Sequence, residues 1–226
     1  MINQRASTIN VNQMRDMLST SGLNIGVEVE ELTKFARMYQ TYESAQHEIA
    51  TKLENLDAEF QMNYNHNPIH HLEGRMKDPQ SLFGKLQRKN LPMTVDIIPD
   101  NIFDIAGIRV ITNYIDDIYT VERLLVAQDD VTLLKRKDYV ENPKPSGYRS
   151  LHLVVEIPVF RSTGVERVPV EIQIRTIGMD MWASLEHKLR YKTDAERVEE
   201  FADNLIGYAN ELNQIEQNFQ NIHREL

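Results

Sequence analysis

The 226-residue chain has room for one domain with its own hydrophobic core and helical extensions, but not for two full-sized catalytic domains. It contains no cysteine, which excludes a disulfide framework, a thiolate metal site and a cysteine nucleophile, and fits a reducing compartment such as the cytoplasm. A formal charge of −9 speaks against a general DNA or anionic-membrane binder, and neither the start, MINQRASTINVNQMRDM, nor any later stretch offers the apolar run that export or membrane insertion needs.

A helix is expected over about 8–20 (Ile9, Met14, Met17, Leu18), closed by Gly22. The next is longer. Apolar side chains at steps of three and four (Leu32, Phe35, Tyr39, Tyr42, then Ile49, Leu53, Leu56, Phe60) predict an amphipathic helix over 28–62, with Gln46 breaking the stripe. Past residue 67 the period changes, and strands are predicted at 69–77, 104–112, 131–140, 148–157 and 167–176. Between them, Asp78-Pro79 reads as the cap and first-turn proline of a helix running to about Lys89. Asp116 and Asp117 are placed to cap a helix carrying Ile118, Val121, Leu124 and Leu125, and RSTGVE at 161–166 is a hairpin connection. From Asp194 the helical period returns as Val198, Phe201, Leu205, Tyr208, Leu212, Ile215, Phe219, Ile222 and Leu226. Such a seam needs a partner, either the chain's own 28–62 helix or another subunit.

Charge is spread unevenly along these elements. Residues 75–149 hold 12 Lys and Arg against 11 Asp and Glu, whereas each flank carries a net −5. A phosphate-bearing ligand is best tolerated in the middle, although ordinary surface variation fits the same numbers.

Strand alternation in 168–175 puts Val168, Val170, Ile172 and Ile174 on one face and Glu171, Gln173 and Arg175 on the other, as a site or a solvated antiparallel strand would. Asp104 stands at the mouth of an apolar strand, and Arg109 is a charge inside it: either a stem lying along a surface or a guanidinium held against something flat and anionic. Gly107 permits a bulge or a close ligand approach. Arg75, Lys77, Lys85, Arg88 and Lys89, with Ser81 among them, form a basic series whose helical part offers one side to a polyphosphate, or simply a solvated face. Lys135-Arg136-Lys137-Asp138-Tyr139 and Lys144-Pro145-Ser146-Gly147-Tyr148-Arg149-Ser150-Leu151-His152 bring cations and aromatic rings together, as a purine-nucleotide site requires. His66, His70 and His71 lack zinc-motif spacing and read as surface and strand histidines.

Taken in order, R-x-K-x-x-x-S-x-x-x-K at 75–85, DIAGIRVI at 104–111, KDYV at 137–140, PK-x-SGYRSLH at 143–152, VEIQIRT at 170–176 and MDMWASLEHKLRYK at 179–192 resemble the synthetase domain of the RelA/SpoT family. With long helices at both ends, the chain is similar to the small, single-domain alarmone synthetases. The resemblance implies an α+β fold, a nucleotidyltransferase-like mixed β-sheet with flanking helices, in one synthetase domain: N-terminal helices over 1–66, a catalytic core over 67–192 and a C-terminal helix over 193–226. It implies transfer of the β,γ-pyrophosphate of ATP to the 3′-hydroxyl of GDP or GTP, releasing AMP and making (p)ppGpp.

By the same resemblance Asp104 and Glu171 are the catalytic pair and the ligands of Mg²⁺, with Glu171 also the general base. Arg75 and Arg109 sandwich adenine, and Lys77, Ser81, Lys85 and Arg88 bind the ATP phosphates. Tyr148 stacks on guanine, while Lys137, Lys144, Arg149, His152, Gln173 and Arg175 surround the acceptor nucleotide. Asp180 lies near the guanine, where related small synthetases often have asparagine. His187 and Lys192 fall in a matching block without an assigned task. A homo-oligomer, a tetramer through the terminal helices, is implied, and no hydrolase activity, since the chain has no His-Asp dipeptide. Two other readings are a catalytically silent module that senses guanine nucleotides or binds single-stranded RNA, and a structural assembly subunit. The presence of both Asp104 and Glu171 counts against the first, and the second leaves the ordered polar motifs unexplained.

Overall fold

A long helix, α1 (Val29–Asn63), opens the part of the chain that the computed structural model describes, residues 29–92, 94–192 and 201–225. The helix expected over 8–20, and Val198 and Leu226 of the C-terminal stripe, lie outside these residues. Phe35, Tyr39, Tyr42, Ile49 and Leu53 of α1 are buried, as the spacing requires. Gln46, the break in the stripe, is buried as well, and its Nε2 donates to the carbonyl of Gly107 at 2.9 Å. The interruption is thus a tether between α1 and the sheet. Left unpaired, that buried amide would cost about 1–3 kcal/mol.

Five strands form one mixed sheet: β1 (Ile69–Met76), β2 (Ala106–Thr112), β3 (Thr132–Asp138), β4 (Leu151–Arg161) and β5 (Gly164–Thr176), in the order β1-β2-β5-β4-β3. Only the β2–β5 pair is parallel. Among the described residues the other helices are α2 (Pro79–Arg88), a short α3 (Ile98–Asn101) after a 3-10 turn, α4 (Ile115–Val126), α5 (Ile177–Lys192) and α6 (Ala202–Glu225). Alternation sends Ile108, Val110, Leu153, Val155, Ile172 and Ile174 into a single core with α1, Leu82 and Leu86 of α2, and Ile118, Val121 and Leu125 of α4. The opposite face of the central strands carries mostly polar side chains, with Ile111 and Val154 among them.

Boundaries differ from the sequence expectation where they matter for function. β2 begins at Ala106, so Asp104 sits in the loop before it. No bulge occurs at Gly107, which keeps regular register between Arg75 and Glu171; the irregularity in this pair lies at Ile69/His71. β4 begins at Leu151 rather than 148, because Lys144–Tyr148 closes a turn, with Gly147 N–H donating to the Lys144 carbonyl at 2.8 Å and Lys144 N–H to the Tyr148 carbonyl at 3.1 Å. Gly147 takes φ +89, and a Cβ there would lie 2.8 Å from Ala209 Cβ. The hairpin is tighter than expected, with Arg161 paired to Gly164 across Ser162-Thr163.

Asp78 caps α2 as predicted, its Oδ1 accepting the Ser81 N–H at 2.9 Å. Of the two aspartates expected to cap α4, Asp117 does so from inside the first turn, accepting the Tyr114 N–H at 2.9 Å, while Asp116 pairs with Arg224 of α6 at 2.7 Å. The C-terminal seam also departs from expectation: α6 packs mainly on α5 and α4, rather than along α1. Its inward line is the partly buried Leu205 and Leu212 with the buried Ala209, against Trp182 and Tyr148, continued by Glu216, which accepts the Gly178 N–H at 3.2 Å, and Gln220, which accepts the Asp116 N–H at 2.8 Å. Two polar side chains docking into helix starts pick the inward face, so Phe201, Tyr208, Ile215, Phe219 and Ile222 remain exposed.

Candidate active site

Strand register builds the site. Glu73 pairs with Arg109, Arg109 with Gln173, Gln173 with His152, and His152 with Lys137, one file of polar residues across all five strands. The adjacent file runs Arg75, Gly107, Glu171, Val154, Lys135. Because side chains two apart on a strand share a face, both files point to the side away from the core.

Two cavities open on this face. One, of about 380 Å³, is lined by Glu73, Arg75, Gly107, Arg109 and Gln173, together with Asp104 and Glu171. The second, of about 400 Å³, is lined by Lys85, Lys89, Lys135, Lys137, Tyr139, Lys144 and His152, and again by Asp104 and Glu171. The two carboxylates therefore form the partition between an arginine-bearing cavity and a lysine- and aromatic-rich one.

Asp104 receives Lys85 Nζ at 2.8 Å on one oxygen and Lys77 Nζ at 3.0 Å on the other. Burial opposes its ionisation, but the two ammonium groups outweigh burial and hold its pKa below the usual aspartate value. Glu171 behaves alike: burial raises its pKa, yet His152 and the Gln173 amide, which donates to Oε2 at 2.9 Å, bring it below the usual glutamate value. Both are ionised at neutral pH. Across the first cavity, Arg109 Nη1 reaches Glu73 at 2.9 Å and Asp180 at 3.3 Å.

At the second cavity the ammonium of Lys144 sits 4.7 Å from the centre of the Tyr139 ring and 4.5 Å from that of Tyr148. The Tyr148 hydroxyl lies 2.8 Å from His152 Nε2 and accepts from Arg175 Nη2 at 2.7 Å. Thus Asp104, Glu171, Arg75, Arg109 and Gln173 meet at one cavity and Lys85, Lys137, Lys144 and His152 at the other, with Lys77 joined through Asp104 and Tyr148 through Lys144 and His152.

Other expected residues are placed elsewhere. Ser81 and Arg88 are exposed on α2 and do not line either cavity. Arg149 turns under α6, into a crevice with Trp182, Ala209 and Glu216, and donates to the Val140 carbonyl at 2.9 Å. Arg175 is buried, and Asp180 ties it to Arg109 instead of facing the acceptor cavity. His187 is exposed, and the side chain of Lys192 is outside the described set. His66 holds Asp117 at 2.9 Å, a structural contact at the start of α4. Sequence reading passed over Glu73, Asn101, Phe103 and Val154 as lining residues. Only Glu73 left a signal, by alternating with Arg75.

Residues 74–196 match the region found in RelA / SpoT proteins. The chain is 40% identical over 185 residues to the GTP pyrophosphokinase YwaC of Bacillus subtilis, covering 82% of this chain and 88% of that one. It is 38% identical over 159 residues to the GTP pyrophosphokinase YjbM of the same organism, covering 70% and 74%. The crystal structure of small alarmone synthetase 1 from Bacillus subtilis bound to its product pppGpp superposes with a TM-score of 0.77 at 34% identity, over 85% of this chain and 97% of that one.

Proposed function

The chain belongs to the RelA/SpoT family and is a GTP pyrophosphokinase that makes (p)ppGpp, and we propose that it does so where its two cavities share Asp104 and Glu171. That shared wall is the observation that carries the reading. A transfer between two nucleotides needs one site for each and a set of reacting groups in reach of both. Arg75 and Arg109 suit the purine of ATP, since planar guanidinium groups stack on a ring as ammonium groups do not. Tyr148 and the lysines of the second cavity suit a guanine nucleotide and its 5′-phosphates, GDP or GTP.

In this mechanism the 3′-hydroxyl of the acceptor attacks the β-phosphorus of ATP in line. The O3′–P bond forms, the bond from β-phosphorus to the α,β-bridging oxygen breaks, and AMP leaves. Glu171, ionised and fixed by its neighbours, takes the hydroxyl proton. Lys77 and Lys85 face the charge that develops on the migrating phosphates.

Two ionised carboxylates that line both cavities offer the hard oxygen donors that Mg²⁺ takes, alongside retained waters and phosphate oxygens. Asp104 and Glu171 would hold it, and when bound it would supply charge neutralisation at the triphosphate. We read the exposed apolar stripes, Ile177, Met181, Leu185 and Leu189 on α5 beside Phe201 just before α6 and Tyr208, Ile215, Phe219 and Ile222 on it, as the contact of a homo-oligomer, a tetramer by family likeness, working in the cytoplasm where its nucleotides are found.

Purified protein incubated with Mg²⁺, ATP and GDP should yield AMP and ppGpp in equal amounts, and Glu171→Gln and Asp104→Asn should each abolish both products. Full turnover in Glu171→Gln would remove the proposed mechanism.

A further inference from the structure

Arg175 is 5% exposed and its guanidinium is spent inside the fold. Nη1 donates to Asp180 at 3.1 Å, Nε to the Ser150 hydroxyl at 3.4 Å, and Nη2 to both the Gln173 carbonyl oxygen at 2.6 Å and the Tyr148 hydroxyl at 2.7 Å. Guanidinium can only donate, so it dictates the direction of everything downstream. Gln173 must turn Oε1 to Arg175, which leaves its amide nitrogen to donate to Glu171 Oε2 at 2.9 Å. Tyr148 accepts from Arg175, so its own proton goes to His152 Nε2, 2.8 Å away. His152 is then the tautomer protonated on Nδ1, and that nitrogen faces Glu171 Oε1 at 3.6 Å, an electrostatic contact longer than a hydrogen bond.

Two arms leave one nitrogen of Arg175 and arrive at the two oxygens of Glu171. We infer that Arg175 is a positioning residue that orients the Glu171 carboxylate through Gln173 on one side and Tyr148–His152 on the other, with Asp180 linking this assembly to Arg109 in the ATP cavity. The link is direct, since Asp180 Oδ1 lies 3.1 Å from Arg175 and 3.3 Å from Arg109. Tyr148 then has two tasks, its ring for the guanine and its hydroxyl for Glu171. The inference rests on the reading of Glu171 as the base.

Two variants test it. Tyr148→Phe keeps the ring and cuts one arm; Arg175→Lys keeps a charge for Asp180 but cannot fork. Each should lower kcat about 100-fold, the loss that a misplacement near 1 Å produces, while KM for ATP and for GDP stays within about threefold. In the nucleotide-free protein, ¹⁵N NMR of the histidines, with His152 assigned from the His152→Gln spectrum, should give the Nδ1–H tautomer for wild type and its loss in Tyr148→Phe. That signature depends on the direction of the arm rather than on catalysis.

Unchanged kcat in Tyr148→Phe, or a rise in the KM for GDP that matches the whole loss, would overturn the inference, as would an Nε2–H tautomer in wild type. Should Arg175→Lys fail to fold, the Tyr148→Phe kinetics and the tautomer decide. Glu171→Gln separates the two levels: if it stays active, the assignment of the base has failed, whereas an inactive Glu171→Gln beside a fully active Tyr148→Phe defeats the positioning role alone.

Discussion

Lys85 Nζ lies 2.8 Å from Asp104 Oδ1, so a residue assigned to phosphate and a residue assigned to a metal are paired with one another. Replacing Lys85 with Gln leaves Lys77 to hold Asp104 but removes one of two charges facing the transferred phosphates. Turnover should fall about 100-fold, the usual cost of one well-placed charged donor. Steady-state kinetics with saturating ATP and GDP would check this, and a loss below fivefold would contradict it.

Arg109→Lys should not behave as a conservative change. A lysine has no planar group to stack on a purine, whereas the Arg109 guanidinium keeps its flat face while Nη1 contacts Glu73 and Asp180. The KM for ATP is expected to rise about tenfold while the KM for GDP moves much less, because Arg109 lines the first cavity only. Equal rises for both nucleotides would count against the assignment of the cavities.

Gly147→Ala should destabilise the fold by about 1–3 kcal/mol, through its positive φ and through contact with Ala209 Cβ at 2.8 Å. The turn that presents Lys144 and Tyr148 shifts with it. Thermal melting and the KM for GDP should therefore change together, and an unaltered melting temperature would refute the strain argument.

Glu216 titrates above the usual glutamate value, chiefly through burial, against the opposing pull of Thr176, the Gly178 N–H and Arg149. The folded state then holds its proton more tightly than the unfolded chain. The contribution is fully present below the unfolded pKa near 4.5 and is lost as pH rises through the higher folded value. Glu216→Gln, which keeps an oxygen for Gly178, should gain melting temperature relative to wild type as pH rises from 4.5 to 8. A constant difference across that range would sink the prediction.

Phe219→Asp puts a charge on an exposed stripe, 59% accessible in the single chain, and should lower the mass measured by light scattering without lowering helicity. An unchanged mass would place the subunit contact elsewhere.

Alternation in 168–175 foretold which face of β5 carries Glu171, Gln173 and Arg175, because it is a property of a few neighbouring residues, whereas Asp104 was named as the companion of Glu171 through the family resemblance alone, and the structure brings both to the walls of the same two cavities. Arg149 could not be placed that way. The turn at Lys144–Tyr148 delays β4 to Leu151, so strand parity does not govern residue 149. Arg175 shares a face with Glu171, yet only the arrival of Tyr148 and Asp180 from other elements makes it a buried hub. The docked side of α6 was equally hidden: hydrophobic spacing ranks Phe219 above Glu216, but the unpaired N–H groups at the start of α5 choose the carboxylate.

β5 ends at Thr176 and α5 begins at Ile177, with no residue between them to act as a joint. Thr176 caps the helix at once, accepting the Met179 N–H at 3.2 Å. The strand bearing Glu171 and the helix whose outer side shows Met181, Leu185 and Leu189 are therefore continuous, with no loop between them. A subunit contact on that helix, as proposed above, would lie one uninterrupted run of secondary structure away from the proposed base.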